Sequence, residues 1–216
     1  MIIDVSHYQS IISWPLVKLD GVDKCYIKAA EGNTFVDSRF RSNWQNARLA
    51  GVQRGSYHFF RANVSPLNQA RHFVNTVGVD LGELPLALDV ETNDGIGTFQ
   101  LTTNVRACLF EIERLVGRKP IIYSSKTRWN ALTTRPTWVV EYSWWLAQYS
   151  SLVSSPALPA NVTTWWLWQY TSSGRVRGIS GDVDLNRENT DMGDPILTPQ
   201  QMRIAGHAEA IIAEVA

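Results

Sequence analysis

Leu84-Pro85-Leu86-Ala87-Leu88-Asp89-Val90-Glu91 is an apolar run that ends in two carboxylates one residue apart. If residues 86–91 form a strand, side chains alternate between its two faces with a rise of about 3.3 Å per residue. Asp89 and Glu91 then project to the same side, roughly 6–7 Å apart, where a buried strand opens to solvent. Neighbouring carboxylates can divide the roles of proton donor and charged group between them. The stretch predicts either an acid/base pair or two solvated charges after a core strand, and the rest of the chain must decide.

The composition indicates one fairly large globular domain, since 216 residues are 44% apolar and 19% charged. No apolar run approaches the ~20 residues that a transmembrane helix needs. The 20 basic and 20 acidic residues cancel, so neither nucleic acid nor an anionic membrane is indicated as a partner. The start, Met1-Ile2-Ile3-Asp4, has no basic and apolar leader, and we therefore expect no export by a cleavable signal peptide.

Cysteine and histidine usage predicts no metal site, no disulfide and no cofactor. Cys25 lies at the start of a strand-like run and Cys108 lies on the apolar side of a helical segment, so both are expected to be small buried hydrophobes. The histidines lack ligand spacing, and no glycine-rich phosphate-binding loop is present.

Tryptophan is the compositional outlier, with nine in the chain. Some must belong to the core. A cluster near carboxylates would also suit a flat, partly apolar ligand such as a sugar ring. The residues concerned are Trp138, Trp144, Trp145, Trp165, Trp166 and Trp168.

Hydrophobic periodicity predicts five strand–helix units followed by three strands. The predicted strands are residues 1–5, 24–30, 53–60, 86–91, 120–124, 144–149, 164–170 and 182–186. The predicted helices are residues 14–19, 38–50, 66–77, 103–116 and 127–132. The pattern implies an α/β fold with a mainly parallel sheet, and eight strands can close a TIM-like barrel. An open doubly wound sheet is the alternative, although it would be expected to keep helices between its later strands.

Polar and ionisable residues lie at the carboxyl ends of the predicted strands, where such barrels place their active sites. Four converging carboxylates without clustered basic partners would be electrostatically costly, and such strain is typical of functional sites. The residues are Asp4, Glu31, His58, Asp89, Glu91, Tyr123, Gln148, Gln169 and Asp184.

Eight segments in order resemble glycoside hydrolase family 25, the lysozymes of bacteriophages, bacteria and some fungi. They are residues 4–9 (DVSHYQ), 26–37 (YIKAAEGNTFVD), 55–59 (GSYHF), 88–91 (LDVE), 120–123 (PIIY), 145–149 (WLAQY), 167–170 (LWQY) and 183–186 (VDLN). The resemblance covers nearly all of residues 1–190. Ala30 and Ser10 depart from the family pattern, but neither departure removes a carboxylate.

This resemblance implies a modified barrel of five β/α units followed by three strands, spanning residues 1–192. It also implies hydrolysis of the β-1,4 bond between N-acetylmuramic acid and N-acetylglucosamine in bacterial peptidoglycan. Glu91 looks like the general acid. Asp89 would hold the 2-acetamido group or stabilise developing positive charge, and same-strand acids favour a retaining, substrate-assisted route. Asp4 and Asp184 would complete an acidic floor that assists Glu91 and binds sugar hydroxyls.

The family pattern also makes Tyr57, Tyr123 and Trp145 candidate groove residues, and Gln148 and Gln169 candidate substrate-binding residues. Glu31 either contacts substrate or pairs with Lys28 or Arg61. His58 is expected to be a hydrogen-bonded wall residue. Asp182 is a rival for Asp184, which we prefer because it lies in the VDLN segment.

Two other functions fit parts of the pattern. A catalytically silent glycan-binding barrel would have lost Asp89 or Glu91, and both are present. A chitinase-like barrel would show a longer Asp-rich run before the glutamate. Residues 193–216 predict a C-terminal helix or the start of a linker to a wall-binding or virion module. With no leader, we expect a phage or prophage lysin that stays in the host cytoplasm until holin release or travels on the virion.

Overall fold

The computed structural model describes residues 1–150 and 152–191. Its strands are β1 (Ile2–Val5), β2 (Lys24–Glu31), β3 (Phe35–Val36), β4 (Gln53–Phe59), β5 (Ala87–Asp89), β6 (Ile121–Ser124), β7 (Trp144–Ala147), β8 (Leu167–Gly174) and β9 (Val183–Glu188). The α-helices are α1 (Trp14–Leu19), α2 (Phe40–Leu49), α3 (Pro66–Val77), α4 (Thr98–Val116) and α5 (Lys126–Leu132). Short 3-10 helices cover His7–Gln9 and Thr137–Glu141. The expectation for residues 193–216 lies outside the described residues.

Eight of the nine strands close into a barrel in the order β1-β2-β4-β5-β6-β7-β8-β9. The neighbours from β1 to β8 are parallel, whereas β9 runs antiparallel to both β8 and β1. Among the strands of the described residues, β3 pairs with the end of β2 alone. The predicted α/β fold, a modified TIM-like barrel of five β/α units followed by three strands, is confirmed. The open sheet is excluded because β1 has a partner on each side.

The helices form where capping and periodicity predict them. In α3, the Ser65 hydroxyl accepts a hydrogen bond from the Asn68 backbone, and Pro66 occupies the first turn, where its missing N–H costs nothing. Helix α4 ends at Gly117, whose φ of 66° is the left-handed conformation that glycine adopts readily. No helix in the described ranges is long and apolar enough to cross a membrane.

Several predicted boundaries were wrong, and the largest differences are in α4 and β8. Helix α4 begins at Thr98 instead of residue 103, and β8 covers Leu167–Gly174 instead of residues 164–170. The start of α4 was missed because Phe99 in its first turn is 76% exposed and does not belong to the apolar stripe. Strand β5 ends at Asp89, so Glu91 lies two residues beyond it. Farther along, the Asp94 carboxylate accepts hydrogen bonds from Arg61 and the Ala62 backbone, which ties this loop to the segment after β4.

Most of the clustered tryptophans belong to the core. Trp144, Trp145, Trp166 and Trp168 are each at most 2% exposed. Inside the barrel, Trp145 lies 4.7 Å from the ring of Tyr26, between ring centroids. The apolar layer around Tyr26 fills the lower barrel, and the polar strand ends lie above it. The aromatic surface that was expected to suit a sugar ring is therefore limited to the side chains that reach the upper rim of the barrel.

Gly55 of β4 tests how tightly this lower layer is packed. A Cβ added there would lie 2.4 Å from the Tyr26 ring, which is held by stacking on Trp145 and by a hydrogen bond from its hydroxyl to the Pro85 carbonyl. We expect Gly55→Ala to lower the free energy of unfolding by about 1–3 kcal/mol, since overpacked cores must distort. Denaturant unfolding measures this.

The matched control is Gly97→Ala, since a Cβ at Gly97 would meet nothing within 4 Å and φ is −74°. Because Gly97 is the N-cap residue of α4, where alanine is poorer than glycine, this substitution should lower stability by no more than about 1 kcal/mol. Equal stabilities of the two variants would contradict the tight packing inferred for the barrel interior.

Candidate active site

Four carboxylates converge at the end of the barrel where the parallel strands finish. Asp4 lies on β1, Asp89 ends β5, and Glu91 follows it in the connecting loop. Asp184 joins them because β9 runs antiparallel, so its first residues lie at the same end, and it is the register partner of Asp4. Asp182, the rival candidate, is instead exposed and ion-paired with Arg175 at 3.0 Å.

Asp4 is a buried carboxyl, only 5% exposed, held from two sides. Its Oδ2 accepts hydrogen bonds from Gln169 Nε2 at 2.9 Å and Asn186 Nδ2 at 2.8 Å. Burial, and next the charge of Asp184, raise the pKa of Asp4 well above its ordinary value. Burial also raises the pKa of Asp184, to about 6. Because two negative charges this close disfavour each other, the pair favours a state in which at least one of the two carboxyls keeps a proton.

Asp89 is the second buried acid, at 6% exposure. Burial and then the charge of Glu91 raise its pKa well above the ordinary value, while Lys28 acts in the opposite direction. Within the described part of the chain, Asp89 Oδ1 has no hydrogen-bond partner. A buried polar atom without a partner is costly, so this oxygen is available to a ligand.

Glu91 lies in a different environment. Its side chain is 20% exposed, and its Oε1 lies 2.6 Å from Arg128 Nη1 in the first turns of α5. The sequence predicted that Asp4 and Asp184 would act on Glu91. The structure adds a cation, Arg128, in ion-pair contact with it.

Aromatic side chains form the floor and one wall of the site. The Trp145 indole donates to Asn186 Oδ1 at 2.7 Å, and the Tyr123 ring lies edge-on to it at 4.6 Å between centroids. Gln169 Oε1 accepts from the hydroxyls of Tyr123 at 2.8 Å and Tyr149 at 2.6 Å. Gln169 therefore links Asp4 to both tyrosines, and its polar atoms are already engaged.

Two adjoining cavities make one cleft, which is lined by Asp4, Asp89 and Asp184, whereas Glu91 follows Asp89 in the chain and lines neither cavity. The smaller, about 130 Å³, lies above the aromatic floor, and the larger, about 390 Å³, extends it past β1, β2 and β4. They share Tyr57, Asp89 and Asp184. A cavity of about 840 Å³ lies on the outer surface, between α4 and the segment before β7, and contains none of the four converging carboxylates. We therefore assign the candidate site to the smaller, acidic cleft.

The rim of the cleft carries paired charges. Glu31 bonds Lys28 Nζ at 2.7 Å and Arg61 at 2.9 Å, so both predicted ion-pair partners are present. Burial opposes ionisation of Glu31, but the hydrogen bonds and charges of these cations lower its pKa overall. Glu31 also lines the larger cavity, so it can both support the rim and meet a ligand.

Two other predicted residues lie outside the cleft. Gln148 Oε1 accepts a hydrogen bond from the Ala157 backbone at 2.7 Å, and neither adjoining cavity includes it. His58 points outward to Gln69 at 3.2 Å, and burial lowers its pKa to about 3. His58 is thus the wall residue that was predicted, and Gln148 holds the loop after β7.

The sequence reasoning missed Arg128, Tyr149 and Asn186. Tyr149 and Asn186 each belong to a quoted segment and directly follow, or lie near, a predicted polar residue. No sequence pattern marked Arg128, apart from its position near the start of the helix that follows a barrel strand. No cluster of three or more His, Cys, Asp or Glu with metal-holding geometry occurs in residues 1–150 and 152–191.

Comparison with known proteins gives concordant matches. The family model described as "Glycosyl hydrolases family 25" matches residues 3–179. Lysozyme M1 of Streptomyces globisporus is 39% identical over 198 residues, covering 87% of this chain and 67% of the relative. The N,O-diacetylmuramidase of Arthroderma benhamiae is 29% identical over 139 residues, with 60% and 59% covered. A bacterial lysozyme structure from Streptomyces coelicolor superposes with a TM-score of 0.78 at 36% identity, covering 87% of this chain and 90% of that one.

The raised pKa of Asp4 predicts a stability that depends on pH. Because its folded pKa exceeds the ordinary 3.8, the native state is progressively destabilised as pH rises above that value. Asp4→Asn keeps an oxygen for Gln169 and Asn186 and an N–H for Asp184, without the charge. We expect its Tm to exceed the wild-type value at pH 7 by about 2–4 °C, the response of a domain this size to about 1 kcal/mol.

Thermal unfolding at pH 3 and pH 7 measures this difference, which should shrink towards zero at pH 3, because Asp4 is then mostly protonated in the folded and the unfolded state alike. Asp23→Asn is the control, since the pKa of that exposed carboxyl is lowered by its hydrogen bond to Lys18, and the substitution should not stabilise. An Asp4→Asn variant less stable than wild type at pH 7 would contradict the assignment of a buried, destabilising charge.

Proposed function

The chain belongs to glycosyl hydrolase family 25, and from this premise we propose that it cleaves the β-1,4 bond between N-acetylmuramic acid and N-acetylglucosamine. It is a glycosidase of the lysozyme type, and its substrate is bacterial peptidoglycan. The observation that carries the finer proposal is the cleft floor, where the buried, unpartnered Asp89 Oδ1 lies beside a more exposed Glu91. Two acids in different environments can take different roles.

Glu91 acts as the general acid in this proposal. It is the one of the four converging carboxylates that lies outside the barrel strands, on the solvent side of Asp89. Its proton passes to the glycosidic oxygen of the departing N-acetylglucosamine as the bond to the muramyl anomeric carbon breaks. The resulting carboxylate then takes a proton from the water that completes hydrolysis.

Asp89 orients the muramyl 2-acetamido group. Its free Oδ1 is placed to accept the acetamido N–H, which directs the acetamido oxygen to the anomeric carbon. That oxygen forms the new bond as the glycosidic bond breaks, giving an oxazoline that water opens with overall retention of configuration. Asp4 and Asp184 hold the opposite side of the cleft, where their raised pKa values leave a donor for sugar hydroxyls.

Aromatic residues supply the binding surface. Tyr57 and Tyr123 line the cleft, and Trp145 lies beneath them with its indole face covered by other rings. Such surfaces suit the apolar faces of sugar rings. Gln169 supports this wall by binding both tyrosine hydroxyls, and Glu31 lies farther along the cleft.

Replacement of Glu91 tests the catalytic assignment. We expect Glu91→Gln to reduce hydrolysis of purified peptidoglycan by at least about 10³-fold while glycan binding persists, since the amide has no proton to donate. Mass spectrometry of borohydride-reduced products should show new wild-type reducing ends on N-acetylmuramic acid. Glu113→Gln, on the outer face of α4, is the control and should remain active.

Reducing ends on N-acetylglucosamine would instead identify a glucosaminidase. Glycan binding by wild type without any product would support the catalytically silent barrel.

The substrate-assisted route makes a separate prediction. Glycan strands whose muramyl residues have been N-deacetylated should be cleaved at least about 10²-fold more slowly than acetylated strands, because the internal nucleophile is absent. Asp89→Asn should lower kcat on acetylated strands and have a much smaller effect on the slow reaction with deacetylated strands. Equal rates of wild type on both kinds of strand would point to a carboxylate nucleophile.

A further inference from the structure

Tyr8 is an exposed aromatic residue on the wall of the cleft. It is 79% exposed, and it lines the larger cavity together with Asp89 and Asp184. Single exposed apolar side chains are common on protein surfaces, so exposure by itself indicates no function. Tyr8 differs from them because it lies in the same cavity as two of the converging carboxyls. Its ring therefore offers contact area to a ligand that those acids bind.

The backbone beneath Tyr8 is held at both ends of the short 3-10 helix that carries it. The Ser6 hydroxyl accepts a hydrogen bond from the Tyr8 backbone at 3.3 Å, and Gln9 Oε1 accepts one from the Ser6 backbone at 2.9 Å. Gln9 Nε2 also donates to the Asp182 carbonyl at 3.3 Å, just before β9. Ser10 follows with a φ of 54°, which residues other than glycine seldom adopt unless the surrounding structure imposes it. Tyr8 therefore stands on a backbone that several contacts keep in place.

The ring of His7 supports the ring of Tyr8, with 4.2 Å between their centroids. His7 is itself held by the buried side chain of Asp37, whose Oδ2 accepts a hydrogen bond from the His7 backbone at 2.9 Å and lies 2.7 Å from His7 Nδ1. Phe35 adds a third ring, 6.0 Å from that of His7. We call the three rings of Tyr8, His7 and Phe35 the aromatic ledge. A tyrosine that is already packed in this way loses little conformational freedom when it binds a ligand.

The cleft is continuous from the acids to the aromatic ledge. The cavity above the aromatic floor has a volume of about 130 Å³, and the cavity that Tyr8 lines has a volume of about 390 Å³. Both are lined by Tyr57, Asp89 and Asp184, so a ligand can pass from one to the other. A glycan strand is a polymer, and a strand that is cleaved at the acids continues past the scissile bond. Its further sugar units can therefore extend along the larger cavity towards Tyr8.

The charges beside the ledge balance one another. Glu31 is ion-paired with Lys28 and Arg61, and Arg61 also pairs with Asp94 at 2.9 Å. Two basic and two acidic side chains favour neither an anionic nor a cationic ligand at this part of the rim. An N-acetylated sugar is neutral and combines an apolar ring face with hydroxyl and amide groups. An aromatic ring among polar side chains suits this chemistry better than it suits the ionised groups of a peptide stem.

We propose that Tyr8 is a substrate-binding residue, whose ring stacks on an N-acetylated sugar of the glycan strand beyond those that bind at the acids. The inference rests on the proposed muramidase function. The contact involves no covalent change. It adds affinity for strands long enough to reach the aromatic ledge, so the enzyme prefers long strands to short oligosaccharides.

Glycan strands of different length test this contact. Peptide-free strands are separated by length, and wild type, Tyr8→Ala and Tyr8→Phe are assayed on each fraction by release of reducing ends. Strands that still carry their peptide stems are assayed in parallel. Phe110→Ala is the matched control, since it removes another exposed ring, 65% exposed, which lies in the outer cavity beside α4. Thermal unfolding of each variant shows that the fold is retained.

With long strands, we expect Tyr8→Ala to raise KM about three- to tenfold and to leave kcat within about twofold of wild type, because the lost contact lies away from the scissile bond. Tyr8→Phe should resemble wild type, since it keeps the ring. On the shortest oligosaccharide that wild type cleaves, the KM values of wild type and Tyr8→Ala should agree within about twofold. Phe110→Ala should resemble wild type on every fraction.

An unchanged KM for Tyr8→Ala on long strands, or the same increase at every length, would overturn the proposal. An increase confined to strands with peptide stems would assign Tyr8 to peptide recognition instead. A loss in Tyr8→Phe as large as that in Tyr8→Ala would contradict stacking of the ring.

If wild type cleaves no fraction, the proposed muramidase function fails on its own account. Calorimetric titration with long peptide-free strands then still decides the role of Tyr8. Tighter binding by wild type than by Tyr8→Ala would support the contact, whereas equal affinities, or no binding by wild type, would refute it.

Discussion

The antiparallel pairing of β9 with β1 is the contact on which the rest of the structure depends. It closes the barrel, and it places Asp184 in register with Asp4. Without that pairing, the last strand would leave an open sheet edge, and the acidic cleft would lack one of its sides. Closure and the active-site geometry are therefore consequences of the same set of backbone hydrogen bonds.

Closure concentrates negative charge in a small space, and the structure manages that charge by separating the acids. Asp4 and Asp89 are buried, and their raised pKa values keep protons inside the barrel. Glu91 lies beyond the strand, where Arg128 reaches it from α5. Buried, partly protonated acids lower the stability of the folded protein, and active sites commonly impose such a cost on the fold that holds them. The ordered core beneath, around Tyr26 and Trp145, supplies the rigidity that such a site needs.

Local patterns in the sequence predicted the elements well where hydrophobic periodicity was unbroken. The bounds of α1 and α3 agree with the prediction, because each combines a proline in its first turn with a regular apolar stripe. The early start of α4 was missed because exposed Phe99 interrupts the stripe. Most clustered tryptophans proved to be core, since composition shows how much aromatic surface exists but not which way each ring points.

The sequence by itself determined the barrel class and the set of carboxylates, because strand and helix periodicities and residues at strand ends are local properties. Only the tertiary structure decided how those residues are linked. Asp4 is bound by Gln169 and Asn186, which lie 165 and 182 positions away along the chain. Arg128 meets Glu91 only because β5 and β6 are neighbours in the barrel. Contacts of this range follow from closure and side-chain direction, and no pattern within a short window encodes either.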